Sequence, residues 1–155
     1  MKKFDFKLQR LLDIREAKER EIQNELAVVV SAQNRERAKQ AELRENVERF
    51  RANIRSNWEA GIFDGQSAAS YGRYEEEAQK AIAALEKKIN ALEPKAEEIR
   101  KRLVQASTEK KIVEKLKEKK QAEYKLEINR KIAKENDDIN QKLYMQRLIE
   151  HGGVQ

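Results

Sequence analysis

From Ile22 to Ile54 the chain repeats an apolar residue at alternating steps of four and three, which commits this stretch to a helix lying against another helix. The steps fall on Ile22, Leu26, Val29, Gln33, Glu36, Gln40, Leu43, Val47, Phe50 and Ile54, and seven of these ten are apolar. Upstream, Leu8, Leu11, Leu12 and Ile14 continue an apolar face. Gln33, Glu36 and Gln40 interrupt the seam; buried polar residues there cost stability but fix register. A second seam begins near Tyr71 and steps through Tyr74, Ala78, Ile82, Leu85, Ile89, Leu92, Ala96, Ile99, Leu103 and Ala106. Beyond it Ile112, Leu116, Tyr124, Ile128, Ile132, Ile139 and Leu143 keep helical spacing, but the frame slips.

Between the seams, Ala60-Gly61-Ile62-Phe63-Asp64-Gly65-Gln66-Ser67 is the one clear turn signal. Gly61 can end a helix in the left-handed conformation, and Asp64 or Ser67 can cap the next by accepting an orphan N–H bond. Two long helices joined by a short turn run antiparallel. The expected fold is therefore all-α: a long two-helix antiparallel coiled-coil hairpin with an overhanging second helix. It forms one domain over residues 1–150, with helix one at about 4–59, the turn at about 60–67 and helix two at about 68–148. Residues 151–155 are expected to be a disordered tail. With the turn centred near Phe63, residue i faces residue 126 minus i, which sets Leu8 near Glu118 and Leu43 near Ala83. About 25 residues, from roughly Glu123 to Leu148, then have no partner within the chain, an overhang of roughly 40 Å. Pro94, opposite Ala32 and Gln33, is expected to kink or break the second helix.

Composition narrows the function classes. Charged residues make up 40% of the chain, hydrophobic ones 39% and aromatic ones 6%, which suits a stripe along each helix better than a compact core. With no cysteine, disulfides and thiolate metal sites are excluded. No apolar run follows the lysines of Met1-Lys2-Lys3-Phe4-Asp5-Phe6-Lys7, so a cleaved secretory signal is not expected. No run approaches the roughly 20 apolar residues of a membrane span, so any membrane association is peripheral. The net charge of +6 is concentrated: residues 1–20 and residues 109–125 each hold seven Lys/Arg against four Asp/Glu, and the rest of the chain balances.

The residues that could carry chemistry read as structural. His151 stands beside two glycines in the tail. Glu75-Glu76-Glu77 and Asp137-Asp138 point in diverging directions around a helix and read as solvated faces. No glycine-rich phosphate loop, Ser/His/Asp set or metal-ligand spacing occurs, so no catalysis, cofactor, metal or small-molecule substrate is expected. Phe50, Trp58, Phe63, Tyr71 and Tyr74 cluster near the turn, either packing the hairpin tip or forming a contact patch. Val28-Val29-Val30 cannot all face one seam. The lysine-rich segment 109–120 interleaves glutamates at helix-pair spacing, the pattern of a salt-bridged solvated helix and not of a nucleic-acid face.

Two segments resemble the signatures of the flagellar export protein FliJ. The first is Phe4-Asp5-Phe6-Lys7-Leu8-Gln9-Arg10-Leu11-Leu12-Asp13-Ile14-Arg15-Glu16. The second is Glu114-Lys115-Leu116-Lys117-Glu118-Lys119-Lys120, followed by Glu123-Tyr124 and Arg130. After Arg130 the family continues with Glu-Gln and an acidic pair; here Lys131, Ile132 and Ala133 stand first, and Asp137-Asp138 follow. The resemblance implies a non-enzymatic component of the bacterial flagellar type III export apparatus. Implied partners are the hexameric export ATPase, the cytoplasmic domain of the membrane export gate and export chaperones, with no nucleic acid. The implied location is the cytoplasm, at the inner face of the cell membrane under the flagellum. Leu43, Phe50, Tyr71 and Tyr74 are the candidate gate contacts, and Lys115, Lys119, Lys120, Tyr124, Ile128, Ile132, Ile139 and Leu143 the candidate ATPase contacts. The competing expectation is a structural tether or stalk that dimerises through helix two.

Overall fold

The computed structural model describes residues 2–152. The chain is all-α: α1 spans Gln9–Glu59, α2 spans Gly65–Gly152, and no strand occurs among the described residues. It divides into two compact units, one of residues 17–107 and one of residues 1–16 with 108–155.

In the 17–107 unit, α1 and α2 pack antiparallel. All ten seam positions from Ile22 to Ile54 are buried or half-buried. Ile22, Val29, Ala96, Ile99 and Ala106 form the core, with Leu26, Leu92 and Leu103 packed against it. Ala96 is fully buried, and its small side chain lets the helices approach closely. Burying each large aliphatic residue here contributes about 1.5–3 kcal/mol.

The polar seam residues turn inward. Gln33 and Gln40 are both buried. The Gln33 amide donates to the Ile89 carbonyl at 3.3 Å and to Glu93 at 2.8 Å. Seven residues on, the Gln40 amide donates to the Ile82 carbonyl and to Glu86, both at 3.0 Å. The repeated geometry satisfies groups that would otherwise be buried without partners, and it locks register. Gln33 with Glu93, Gln40 with Glu86, and Arg51 with Glu75 each add to 126, the register read from the sequence. The Gln33 amide, and then Arg100, hold the Glu93 carboxyl below its usual range.

The turn is specified locally. Gly61 takes φ +80°. The Ile62 amide bonds to the Asn57 carbonyl at 2.8 Å and the Gly61 amide to the Trp58 carbonyl at 3.0 Å, which is the Schellman arrangement. Asp64 caps α2: its carboxylate accepts from the Ser67 hydroxyl at 2.8 Å and the Gln66 amide at 3.0 Å. The Ser67 bond, then the Gln66 bond, hold that carboxyl below its usual range. The second helix therefore starts at Gly65 and not near 68, because Asp64 and not Ser67 is the cap. A Cβ at Gly61 would meet nothing within 4 Å, so the cost of Gly61→Ala is purely conformational. We expect a loss of about 1 kcal/mol from the left-handed backbone, read as a few degrees in the thermal melt.

Two expectations in this unit are corrected. α2 runs through Pro94 without a break. Pro94 and Asn90 both lie on the exposed face, so the Asn90 carbonyl released by the missing N–H is solvated. Near the turn the seam passes through half-buried Glu75, while Tyr74 lies beside it, 36% exposed. Glu75 is held there by Arg51 at 3.3 Å, and the Arg51 guanidinium also donates to the Tyr71 hydroxyl at 2.8 Å.

In the other unit, residues 2–6 are non-helical and α1 begins at Gln9, not near residue 4. The arm is held by its aromatics. Phe6 is buried with Leu12 and Val113, Phe4 packs on that cluster, and the Phe6 carbonyl accepts from the Gln9 amide at 3.0 Å. The frame of α2 does not slip here. Lys110, Val113, Lys117 and Tyr124 keep the seam spacing and are buried or half-buried, whereas Ile112 is 61% exposed and Leu116, 37% exposed, lies off the seam beside Phe4 and Phe6. Lysine serves at seam positions because its stem lies on apolar surface while the ammonium reaches the edge. Lys117 donates to Gln9 at 2.7 Å, a pair that again adds to 126, and Arg15 donates to the Glu109 carbonyl at 2.7 Å. From Asn129 to Gly152 every residue of α2 is exposed. His151 and Gly152 are the last helical residues, so the expected tail narrows to 153–155, which lie outside the described residues.

Candidate protein-interaction surfaces

Three surfaces of this chain are exposed where a folded helix would ordinarily be covered. The first is the overhang of α2. Ile132, Ile139 and Leu143 lie on it with roughly half of their surface in solvent, and Tyr144, Met145, Leu148 and Ile149 are exposed as well. The last four escape a reading confined to one stripe, although their apolar character is plain in the sequence. Ile128 and Ile139, like Ile132 and Leu143, stand eleven residues apart. An eleven-residue repeat keeps a stripe nearly straight along a helix, unlike the winding stripe of a heptad.

The second surface adjoins the first. The arm and first turns of α1 lie beside residues 108–124 of α2, which brings basic sequence from both segments together. Lys115, Lys119 and Lys120 are all exposed. Lys120 pairs with Glu123 at 3.0 Å, whereas Lys115 and Lys119 make no ion pair among the described residues. Tyr124 is not unpartnered. Its ring packs on Phe4 at 5.5 Å, and its hydroxyl donates to the Lys2 carbonyl. Ile128 is half-buried, so the uncovered stripe starts beyond it. Leu11, Ile14, Ile112 and Leu116 add exposed aliphatic surface. Counting the seam in sevens, and not following the largest apolar residues, would have separated them from the core.

The third surface lies near the turn. Phe50 stacks on Tyr71 at 5.5 Å and 20°, and meets Tyr74 at 5.7 Å and 53°. Phe50, Tyr71 and Leu43 are half-buried. These rings pack the helix pair, and Tyr74 presents one side of itself to solvent. Trp58 and Phe63 form a separate pair at 5.8 Å on the turn.

Among the described residues no group of three or more His, Cys, Asp or Glu is placed to hold a metal ion. Nor, among the described residues, is any helix long and apolar enough to cross a membrane. The family described as Flagellar FliJ protein matches residues 4–148, nearly the whole chain. The chain belongs to the FliJ family. Neither the curated proteins nor the solved structures contain a match. FliJ membership makes the chain a component of flagellar protein export. The matched residues include the N-terminal arm, both helices of each unit and all but the last few residues of the overhang.

Proposed function

We propose that this FliJ chain is a non-enzymatic bridge: its basic end and overhang engage the hexameric export ATPase, and the aromatic surface near the turn engages the cytoplasmic domain of the export gate. It works in the cytoplasm at the inner face of the membrane and also escorts export chaperones. The observation that carries this reading is the stretch from Asn129 to Gly152, where every residue of a helix bearing aliphatic side chains is exposed. An isolated helix of this length is marginal in water unless another surface covers its apolar side. The adjoining lysines favour a partner surface rich in acids, and charge chiefly raises the encounter rate while apolar burial sets residence time.

The test is a reconstitution. Purified chain added to the export ATPase is expected to raise hexamer assembly and turnover, and the chain alone is expected to hydrolyse no nucleotide. The same exposed stripe also suits a homodimeric tether. A concentration-dependent dimer joined through residues 129–152, with no effect on the ATPase, would establish that reading instead.

A further inference from the structure

The turn carries an apolar prong: Ile62 and Phe63 stand out from it, and Trp58, in the last turn of α1, lies half-covered at its base beside Ile54, Ala68 and Tyr71. Phe63 is 77% exposed, Ile62 58% and Trp58 48%, and the Trp58 and Phe63 rings lie together at 5.8 Å. Gly61 with its Schellman bonds fixes the fold-back that presents them, so the prong is built and not frayed. Its surroundings are basic. Residues 49–73 hold four arginines against Glu59 and Asp64. Arg49 and Arg51 are engaged with Glu45, Glu48 and Glu75, whereas Arg55 and Arg73 make no ion pair among the described residues. The Asp64 carboxylate is turned onto Ser67 and the Gln66 amide as the helix cap, which leaves Glu59 as the one acid on the tip without a capping role.

We infer that this tip contacts a bilayer: Trp58, Ile62 and Phe63 insert shallowly among anionic lipid headgroups, and Arg55 and Arg73 lie against the phosphates. Three features favour a bilayer over a protein pocket. The apolar residues are adjacent and exposed at the turn, so a deformable surface can cover their free sides together. Trp at the base with Ile and Phe beyond is the order that an interface rewards, since the indole prefers the headgroup level and the apolar side chains the acyl boundary. The two unengaged arginines match phosphate geometry and charge. The inference rests on the tip alone and stands or falls apart from the ATPase and gate assignments.

Trp58 is the chain's single tryptophan, so its fluorescence reports the tip directly. The full chain should be mixed with phosphatidylcholine vesicles and with vesicles that also contain phosphatidylglycerol. With the anionic vesicles, Trp58 emission is expected to shift to the blue, and brominated acyl chains are expected to quench it. Partitioning should fall roughly tenfold in each of Ile62→Ser and Phe63→Ser, and about fivefold in each of Arg55→Gln and Arg73→Gln. Far-UV helicity should not change, because all four side chains are exposed. Vesicle binding with unaltered Trp58 emission would overturn the inference and assign the contact to the lysine-rich end. Absence of binding to anionic vesicles, or full binding by Phe63→Ser, would overturn it too. If Phe63→Ser instead loses affinity for the export-gate domain while vesicle partitioning is unchanged, the tip is a protein contact and the inference fails.

Discussion

Cutting the chain after Gln121 is expected to lower affinity for the export ATPase by at least a hundredfold, while the 17–107 unit keeps its fold and its affinity for the gate domain. The cut removes the whole exposed stretch from Asn129 to Gly152, where the side chains Ile132, Ile139, Leu143, Leu148 and Ile149 are 41–72% exposed. Burying two such side chains on a partner supplies about 3 kcal/mol or more, which is enough for that loss. The cut also removes Tyr124, the ring partner of Phe4, so some unfolding of the arm is expected with it. A second cut after Asn129 separates the two effects. It spares Phe4 on Tyr124 and half-buried Ile128, yet should lose nearly as much ATPase affinity. Charge is tested independently. Lys115→Glu and Lys119→Glu together should slow association about tenfold and flatten its salt dependence. Lys120→Glu should matter less, because Lys120 is already engaged with Glu123. Surface plasmon resonance on immobilised ATPase gives both rates. Unchanged affinity in both truncated chains would mean that the turn end, and not this one, meets the ring.

Much of the fold was legible because a coiled-coil seam is a one-dimensional pattern. The steps from Ile22 to Ile54, the left-handed Gly61 and the 126-minus-i register all follow from residue type and spacing, and the structure reproduces each. What was not legible has one recurring cause: the seam is not always filled by the most apolar residue nearby. Glu75 takes a seam position because Arg51 pairs with it, and Tyr74 is displaced to the flank. Lys110 and Lys117 hold the frame through their stems, so the more apolar Ile112, exposed, and Leu116, beside the arm, lie off the seam and mimic a slip. The non-helical arm was read as helix for a related reason. No proline or glycine marks its end, and only the burial of Phe6 between Leu12 and Val113 draws it out of the helix. Pro94 shows the converse. Its cost depends on which face its lost bond lies on, and the exposed face is the tolerant one.

The interaction surfaces were less legible than the fold. Uncovered apolar residues on the overhang follow from counting how far α2 outruns α1, since chain length alone leaves them without a partner. Which aromatic residues near the turn remain available does not follow from density. Phe50, Tyr71 and Tyr74 look equivalent in sequence, yet their ring geometry makes Phe50 the centre, Tyr71 a stacked neighbour tied to Arg51, and Tyr74 the outer member.

That difference yields different stability costs for two alanine substitutions at the proposed gate surface. Tyr74→Ala should cut affinity for the export-gate domain by tenfold or more with little change in the melt. The Tyr74 ring is the most exposed of the three, and truncating an exposed aromatic anchor removes interface area without opening a cavity. Phe50→Ala should weaken gate binding too, but with a cost in stability. Its ring lies against both tyrosines, so its removal forfeits two aromatic contacts and leaves the Arg51–Tyr71 pair unsupported. A half-buried phenylalanine in that setting is worth about 2 kcal/mol, below the 3–5 kcal/mol of a fully buried one. Leu43→Ala, half-buried about two turns from Phe50, should fall between them. Gate affinity by calorimetry and melting by circular dichroism, measured on the same three variants, decide the matter. If all three lose affinity in proportion to lost stability, the rings only hold the helices together. If Tyr74→Ala loses affinity alone, the outer edge of the stack is the gate contact, and the packing of Phe50 and Tyr71 beneath it is what holds that edge in place.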